Sequence, residues 1–181
     1  MQPRTVAALA GRRIDAPDAA RVQFPLGRLP QVKKALGDLF AAERVGMLVC
    51  SAACGADLAA LEVARGAGIR CRVVLPFDKK RFRDTSVTDR PGDWGPVYDR
   101  VIAAVEAAGD LITLEEGGDP DGAYQKANEA IIDEARRAAG GAQPLGVIVW
   151  EGRPRSGSDA TKEFLELARR AGMRESFIAT S

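Results

Sequence analysis

The sequence predicts an α/β fold of the Rossmann-like kind: a doubly wound, mainly parallel sheet with helices on both faces. Strand-like apolar runs alternate with segments of helical periodicity along the whole chain, which is typical of this class. The 181 residues are 46% hydrophobic, enough for one sizeable core. We therefore expect a single domain over residues 1–181, with ligands bound at the carboxyl ends of the strands.

Each element is predicted from its apolar pattern. Short runs of consecutive apolar residues that stop near Gly or Pro indicate buried strands, and apolar residues three or four positions apart indicate helices. In chain order the predicted elements are a strand over 5–10, a helix over 31–43, a strand over 46–50, a helix carrying Leu58, Leu61 and Ala64, a strand over 71–77, a helix over 94–108, a strand over 110–114, a helix over 124–138, a strand over 145–150, a helix capped by Ser158 or Asp159, and a short strand over 177–179. A long loop is expected after residue 77.

The most informative segment runs from Val45 to Gly68. A buried strand turns through small residues, Ser51 to Asp57, into a helix. Such a turn leaves free backbone N–H groups at the positive end of a helix and no bulky side chains, which suits a phosphate or another anion. Many α/β crossings use small residues only to pack a helix on a strand, so a purely structural role stays open.

Composition excludes several classes of function. The chain has no histidine, which rules out Ser-His-Asp and Cys-His nucleophiles and histidine metal sites. Lys and Arg number 26 against 25 Asp and Glu, so there is no global basic field and nucleic acid is not expected as a partner. No apolar run approaches the roughly 18 residues that cross a bilayer. The segment Met1–Arg4 is not typical of a signal peptide, so a cytoplasmic protein without a membrane partner is expected.

The three cysteines are expected to be reduced thiols. Cys50 and Cys71 fit small buried residues, whereas Cys54 lies nearest a predicted helix start, where the pKa of a thiol can fall. A structural role is favoured for Cys54 too, because the chain has no histidine base to activate it. No metal site and no cofactor are expected.

Four strand ends carry the polar residues of interest, at 11–15, 51–57, 76–81 and 152–161. If the strands are parallel, these segments meet at one rim of the sheet. Two of them offer helix starts built from small residues, and two offer Arg or Lys, a combination that suits a phosphorylated ligand. Taken singly, the basic residues at 79–83 fit a solvated loop paired with Asp78 and Asp84.

A separate acidic cluster is formed by Glu115, Glu116, Asp119 and Asp121. Gly and Pro surround these carboxylates, without interleaved apolar residues that would raise a pKa. A solvated loop is therefore expected there rather than a paired-carboxylate site.

Several short motifs resemble the SLOG superfamily. They are Gly11 to Asp15, Arg21 with Phe24-Pro25, Ala53 to Asp57 with Glu62, Val74 to Asp78 leading to Phe82 and Thr85 to Val87, Tyr124 with Asn128, and Val149 to Gly152. This superfamily gathers Rossmann-like proteins such as the lonely-guy phosphoribohydrolases and the DNA-processing protein A group. The likeness is greatest to SLOG domains found beside cyclase or repeat domains and in bacterial signalling systems. It implies binding of a nucleotide, a nucleotide sugar or a similar molecule.

The chain departs from the lonely-guy enzymes in one decisive stretch. Those enzymes carry Pro-Gly-Gly-x-Gly-Thr-x-x-Glu after the late strand. Here Gly157 and Thr161 match, but Phe164 stands where the catalytic Glu would be, and Glu163 comes one residue early. Because one residue rotates a helical side chain by about 100°, Glu163 is expected to aim elsewhere. The first turn also differs, with Gly11-Arg12 in place of Gly followed by His or an apolar residue.

Two functions stay open. The first is a binding or sensor domain for a nucleotide-derived phosphorylated ligand, which would signal through self-association or a separate effector protein. The second is hydrolysis of the N-glycosidic bond of a nucleoside 5′-monophosphate, with Glu163, Asp159 or Glu151 stabilising an oxocarbenium-like centre. Binding is favoured because the acid is displaced and no histidine can replace it.

The predicted site gathers residues from all four strand ends. The predicted ligand-binding residues are Gly11, Arg12, Ser51, Cys54, Gly55, Asp57, Pro76, Arg81, Gly157, Ser158 and Thr161, with Glu163 and Asp159 catalytic only if the protein is an enzyme. Backbone amides near Gly55 and Gly157 are expected to hold phosphate. Asp57 is expected either to accept hydrogen bonds from ribose hydroxyls or to serve only as an early-helix carboxylate favoured by the helix dipole.

Overall fold

A computed structural model describes residues 4–115 and 119–181. Its sheet has six strands in the order β4-β3-β2-β1-β5-β6, and every neighbouring pair is parallel. The strands are β1 (Thr5–Gly11), β2 (Val45–Cys50), β3 (Arg70–Leu75), β4 (Leu111–Thr113), β5 (Leu145–Trp150) and β6 (Arg174–Ala179). The predicted fold class is confirmed. The predictions that involve Met1 to Pro3 and Glu116 lie outside the described residues.

Six α-helices cover the sheet within the described residues. They are α1 (Leu29–Ala42), α2 (Ala56–Gly66), α3 (Lys79–Ser86), α4 (Trp94–Ala107), α5 (Pro120–Ala139) and α6 (Ala160–Arg170). Apolar residues of α1, α2 and α4 form one core cluster with one face of the sheet, and those of α5 and α6 form a second cluster with the other face. This division gives the two helical layers of a doubly wound fold.

The order of the strands creates a switch point at the centre of the sheet. The chain runs outward from β1 through β2 and β3 to β4, and then returns to the other side of β1 to add β5 and β6. The connections that leave β1 and β5 therefore run in opposite directions, which opens a crevice above their carboxyl ends. The β1–α1 and β5–α6 loops border that crevice.

One helix was missed by the sequence prediction. Residues 79–86, predicted as loop, form α3, which buries only Phe82 and Ser86. Its side chains are otherwise charged or polar, so it shows almost no apolar periodicity. Asp78 starts the helix by accepting a hydrogen bond from the N–H of Arg81, an N-cap that the apolar pattern does not reveal.

Two other elements are longer than predicted. The fifth helix begins at Pro120 rather than near Tyr124, with Asp119 accepting from the N–H of Gly122 as its N-cap. The last strand begins at Arg174, three residues before the predicted start at Phe177, and its first residues are polar because β6 lies at the edge of the sheet. Asp159, one of the two predicted caps, does cap α6.

The turn before α2 depends on a glycine. Gly55 has a φ of 99°, in the region that favours glycine, and a Cβ there would lie 2.7 Å from the carbonyl oxygen of Arg12. The N–H of Ala56 donates to that oxygen at 3.0 Å. The start of α2 is thus tied to the β1–α1 loop, which places both beside the crevice.

Among the described residues, no helix is both long enough and apolar enough to cross a membrane.

Candidate ligand-binding site

A cleft of about 290 Å³ lies above the carboxyl ends of β1, β2 and β5. Its walls come from the β1–α1 loop, the start of α2, the β5–α6 loop and helices α3, α5 and α6. The volume is near the lower end of the range for small-molecule sites, roughly 300–1,000 Å³. The cleft therefore occupies the place where sheets of this topology bind ligands.

The structure brings most of the predicted site residues into this cleft. Those that line it are Gly11, Arg12, Ser51, Asp57, Ser158, Asp159, Thr161 and Glu163. Those that do not line it are Cys54, Gly55, Pro76, Arg81 and Gly157. Three of the four predicted strand ends thus meet at one rim, while the end of β3 stays outside.

The end of β3 is separated from the cleft by the helix that follows it. Phe82 and Ser86 of α3 line the cleft instead of Pro76 and Arg81. The guanidinium of Arg81 lies 4.4 Å from the ring centroid of Phe77. The other basic residues of α3 pair with carboxylates at the surface, Lys79 with Glu106, Lys80 with Asp84, and Arg83 with Asp99. This agrees with the alternative of a solvated basic segment.

Cys54 is fully buried behind the cleft. Burial raises the pKa of its thiol, although the nearby Arg13 acts in the opposite direction. The lowered pKa considered for a thiol at a helix start is therefore not found. Cys50 and Cys71 are buried as well, and burial raises the pKa of each.

Arg12 is a charged residue of the site with only 1% of its surface exposed. Its Nε donates to Glu151 Oε2 at 2.8 Å, and its Nη1 donates to Asp159 Oδ1 at 2.7 Å. Its Nη2 donates to the carbonyl oxygen of Arg153 at 2.8 Å, and the guanidinium lies 5.5 Å from the ring centroid of Trp150. Arg12 thus joins β1 to the β5–α6 loop and carries little free hydrogen-bonding capacity for a ligand.

Asp159 is saturated by hydrogen bonds. Besides Arg12, its carboxylate accepts from the backbone N–H groups of Arg155, Thr161 and Lys162 at 2.8–3.2 Å. Burial alone would raise its pKa, but these hydrogen bonds outweigh burial and hold the pKa below its ordinary value. A carboxylate held ionised in this way is a poor proton donor, so the geometry disfavours Asp159 as a catalytic acid.

The two helix starts expected to cradle phosphate use several of their own amides. At α6 the carboxylate of Asp159 occupies the N–H groups of Thr161 and Lys162. At α2 the N–H of Ala56 donates to Arg12, and the N–H of Ala53 donates to Asp57 Oδ2 at 3.2 Å. An anionic ligand would have to rely more on side chains than the sequence alone indicates.

Ser51 and Asp57 are the two polar groups of the β2–α2 wall. The Oγ of Ser51 is buried and finds no hydrogen-bond partner within residues 4–115 and 119–181. Asp57 is 8% exposed, and burial raises its pKa to about 7, although the Ala53 N–H and the charge of Arg13 act against this. An unsatisfied hydroxyl beside a carboxyl of raised pKa is typical of a binding or reactive site.

The shifted pKa of Asp57 predicts a pH dependence of stability. Its unfolded-state pKa is about 3.9. Between that value and about 7, the folded state holds a proton that the unfolded state has released, so stability falls as pH rises. The chain has no histidine to titrate in the same window. From pH 5 to pH 8 we expect this group to lower the free energy of unfolding by about 2–3 kcal/mol.

Urea denaturation at both pH values measures the effect. Asp57→Asn is expected to remove that fall, and Asp38→Asn, at an exposed carboxylate paired with Lys34, is expected to keep it. An equal fall in the wild-type protein and in Asp57→Asn would show that Asp57 is already ionised at pH 5.

Two arginines give the cleft its positive side. Arg13 pairs with Asp89, and its Nε is buried without a hydrogen-bond partner in the described part of the chain. Arg155 donates from Nε to the side-chain oxygen of Gln23 at 3.0 Å and makes no ion pair with a carboxylate of the described residues, although Asp159 and Glu151 attract its charge from farther away. Both line the cleft, although neither was among the predicted ligand-binding residues.

Helices α5 and α6 supply a further wall, and its residues on α5 were not among the predicted ligand-binding residues. Tyr124, whose hydroxyl lies 2.9 Å from Ser86 Oγ, lines the cleft together with Asn128 and Asp121. Asp121 lies in the first turn of α5 at the edge of the cleft, and it is exposed, as expected for a solvated carboxylate. Glu163 completes this wall. Its one-residue displacement therefore leaves it at the cleft, and the expectation that its carboxylate is aimed away from the position of the catalytic Glu stays a prediction.

Within the described residues, no group of three or more Cys, Asp or Glu side chains is arranged to hold a metal ion.

Fold and cleft together define a Rossmann-like α/β protein with a cleft at the switch point of its sheet. Its solved structural neighbours include DNA processing protein A from Streptococcus pneumoniae, with a TM-score of 0.60 and 16% identity over 98% of this chain and 51% of that one. DNA processing protein A from Helicobacter pylori gives a TM-score of 0.45 and 16% identity over 94% of this chain and 74% of that one. The chain spans about half the length of the pneumococcal protein. No protein-family model and no curated protein matches it.

These neighbours correct one prediction. The pneumococcal neighbour, with a TM-score of 0.60, is by name a DNA processing protein, so this fold occurs in a protein that works on nucleic acid. The expectation that nucleic acid is not a partner was drawn from the near-neutral charge balance. It is wrong, because that balance does not exclude nucleic acid. Overall charge does not report how cations are distributed, and a local pair such as Arg13 and Arg155 is compatible with a neutral chain.

Proposed function

We propose that the cleft binds a nucleotide-derived phosphorylated ligand. The observation that carries the proposal is the coincidence, at the switch point, of a buried hydroxyl without a partner on Ser51 and an arginine without a carboxylate partner on Arg155. Neither group has such a partner among the described residues. A bound ligand would give Ser51 a hydrogen bond and Arg155 a counter-charge. The ligand is a free nucleotide, a nucleotide sugar or one nucleotide unit of a single-stranded DNA.

The chemistry of the cleft supports this class of ligand. Arg13 and Arg155 offer guanidinium groups to a phosphate. Asp57 offers an acceptor for ribose hydroxyls, and the half-buried Ala10, Ala53 and Tyr124 add apolar surface for the face of a base. Anion, polyol and apolar subsites thus lie within one small cleft.

We also propose that residues 1–181 form a single SLOG-type domain and that its role is sensing. The motifs quoted above and the fold shared with DNA processing protein A support membership of that superfamily. A sensor of this kind would signal in a bacterial cytoplasm through self-association or through a separate effector protein.

A ligand panel tests the proposal. The panel holds nucleoside monophosphates, nucleotide sugars and short single-stranded DNA, with melting temperature as the readout. A ligand at about 100 times its Kd stabilises by roughly 2.7 kcal/mol, which for a chain of this size raises Tm by about 5–10 °C. Calorimetric titration then gives Kd. A panel in which no member raises Tm would overturn the proposal.

A pair of variants on one loop locates the phosphate. Arg155→Met is expected to weaken binding of a monophosphate about tenfold, because it removes a charge-assisted contact worth about 1.4 kcal/mol or more. Arg153→Met, an exposed arginine outside the cleft, is the matched control and is expected to leave Kd unchanged. Equal effects of the two variants would place the phosphate elsewhere.

Hydrolysis of a nucleoside 5′-monophosphate is the second candidate, and one observation favours it. Glu163 lines the cleft, and its carboxylate has no hydrogen-bond or ion-pair partner in the described part of the chain. Product analysis of the same incubations separates the two functions. Release of free base that is abolished by Glu163→Gln would establish the hydrolase, and intact nucleotide after incubation supports binding alone.

A further inference from the structure

The α5–α6 wall of the cleft, formed by Asp121, Asn128 and Glu163, differs chemically from the rest of the site. The nearby cations, Arg13 and Arg155, come from the β1–α1 and β5–α6 loops, so neither belongs to this wall. A phosphate placed against two carboxylates would be repelled. A ligand that puts its phosphate on the arginines therefore turns its other end towards this wall.

Asn128 fixes what the wall can recognise. It is 7% exposed, and its Nδ2 donates to the carbonyl oxygen of Ala160 at 2.9 Å. Because a carbonyl oxygen only accepts, this bond sets the orientation of the amide. The Oδ1 atom accepts no hydrogen bond from residues 4–115 or 119–181, which leaves a buried residue with an unused acceptor at the cleft.

Glu163 and Asp121 add acceptors of the same kind. An ionised carboxylate only accepts hydrogen bonds. The Glu163 carboxylate has no partner in the described ranges, and Asp121 lies in the first turn of α5 at the edge of the cleft. The wall therefore presents Oδ1 of an oriented amide together with carboxylate oxygens.

Resting on the proposed function, we infer that the α5–α6 wall selects nucleotides whose base carries an exocyclic amino group, with Asn128 Oδ1 and the Glu163 carboxylate as its acceptors. Adenine and cytosine present an amino donor on the edge where hypoxanthine and uracil present a carbonyl oxygen. An oxo group at this wall faces oxygen lone pairs, so the acceptor that meets it is left unsatisfied, at roughly 1–3 kcal/mol. The expected preference is therefore about 10- to 100-fold.

Calorimetric titration with matched nucleotide pairs tests this selection. We expect adenosine monophosphate to bind at least about tenfold more tightly than inosine monophosphate, and cytidine monophosphate more tightly than uridine monophosphate. The 2′-deoxy form of adenosine monophosphate is expected to keep the preference over 2′-deoxyinosine monophosphate. If the amino and oxo partners bind within twofold of each other, the inference is wrong while the proposed function stands. If no nucleotide binds, both fail.

Variants assign the preference to the wall. Asn128→Leu is expected to reduce the amino-to-oxo ratio to within about twofold, and Gln125→Leu, an exposed amide on the same helix outside the cleft, is expected to preserve it. Because Asn128→Leu also removes the bond to Ala160, Glu163→Gln is a second variant that leaves this bond intact. It gives the wall a donor and is expected to improve binding of the oxo partner. An unchanged ratio in both variants would overturn the assignment.

Discussion

Arg12→Met is expected to lower the free energy of unfolding by about 3–5 kcal/mol, which is the range for removing one partner of a buried ion pair. The side chains of Arg12, Glu151 and Asp159 are 1%, 6% and 1% exposed, so water cannot replace the lost guanidinium. Both carboxylates would remain buried without their cation. For a chain of this size the change lowers Tm by roughly 10 °C.

The same substitution at an exposed arginine is the matched control. Arg174 pairs with Glu43 at 2.8 Å, but 43% of its side chain is exposed. Arg174→Met is expected to change stability by less than about 1 kcal/mol, because surface ion pairs contribute little. Urea denaturation of the two variants at pH 7 gives both values.

A triple variant separates two costs of Arg12→Met: the lost attraction between Arg12 and its carboxylates, and the burial of those carboxylates without a cation. Arg12→Met combined with Glu151→Gln and Asp159→Asn removes the buried carboxylate charges, and is expected to recover part of the stability lost in Arg12→Met alone. If Arg12→Met and Arg174→Met lose similar stability, Arg12 is not the internal link between β1 and the β5–α6 loop.

The fold was predictable because it follows from local apolar patterns. Buried strands such as β5 are continuous apolar runs, and the helices that cover them repeat apolar residues every three or four positions. The same argument explains the miss at α3. An eight-residue helix that buries only Phe82 and Ser86 has too few apolar residues to show a period.

The rim of the site was predictable, but the roles of its residues were only partly so. Topology places Gly11, Ser51 and Ser158 at the same edge, which requires only that the strands be parallel. Arg12 and Arg13 have different roles because only the guanidinium of Arg12 pairs with buried carboxylates, Glu151 and Asp159. Those carboxylates lie 139 and 147 residues away from Arg12 in the sequence.

The α5–α6 wall is a second case in which the sequence predicts position better than role. Asn128 was noticed only as part of a motif, because a single Asn on a helix gives no signal of its own. Its orientation is set by the carbonyl oxygen of Ala160, 32 residues later on a different helix. Glu163 lines the cleft because the first turn of α6 borders it, a placement that the motif alone does not determine.

Gly11→Ala is the second substitution with a large expected effect, and it acts through packing rather than charge. A Cβ at this position would lie 2.6 Å from the Cβ of Ala56 and 2.7 Å from the Cβ of Val149, and it would also overlap the carbonyl oxygen of Val149. None of these atoms is the end of a flexible side chain. Relief of the overlap requires β5 or α2 to move away from β1, and overpacking of this kind costs about 1–3 kcal/mol.

The same displacement reaches the ligand site. Gly11 lines the cleft, and the N–H of Arg12 donates to the carbonyl oxygen of Val149 at 2.8 Å, the group that the new methyl displaces. We therefore expect Gly11→Ala to lose about 2–3 kcal/mol of stability and to weaken ligand binding at temperatures where the variant is still folded.

Gly66→Ala, at the end of α2 with open space around the position of the added Cβ, is the matched control. It is expected to be neutral or slightly stabilising, because alanine restricts the unfolded chain. Denaturation curves that place the two variants within about 0.5 kcal/mol of each other would show that β1, β5 and α2 are not in the close contact on which the cleft depends.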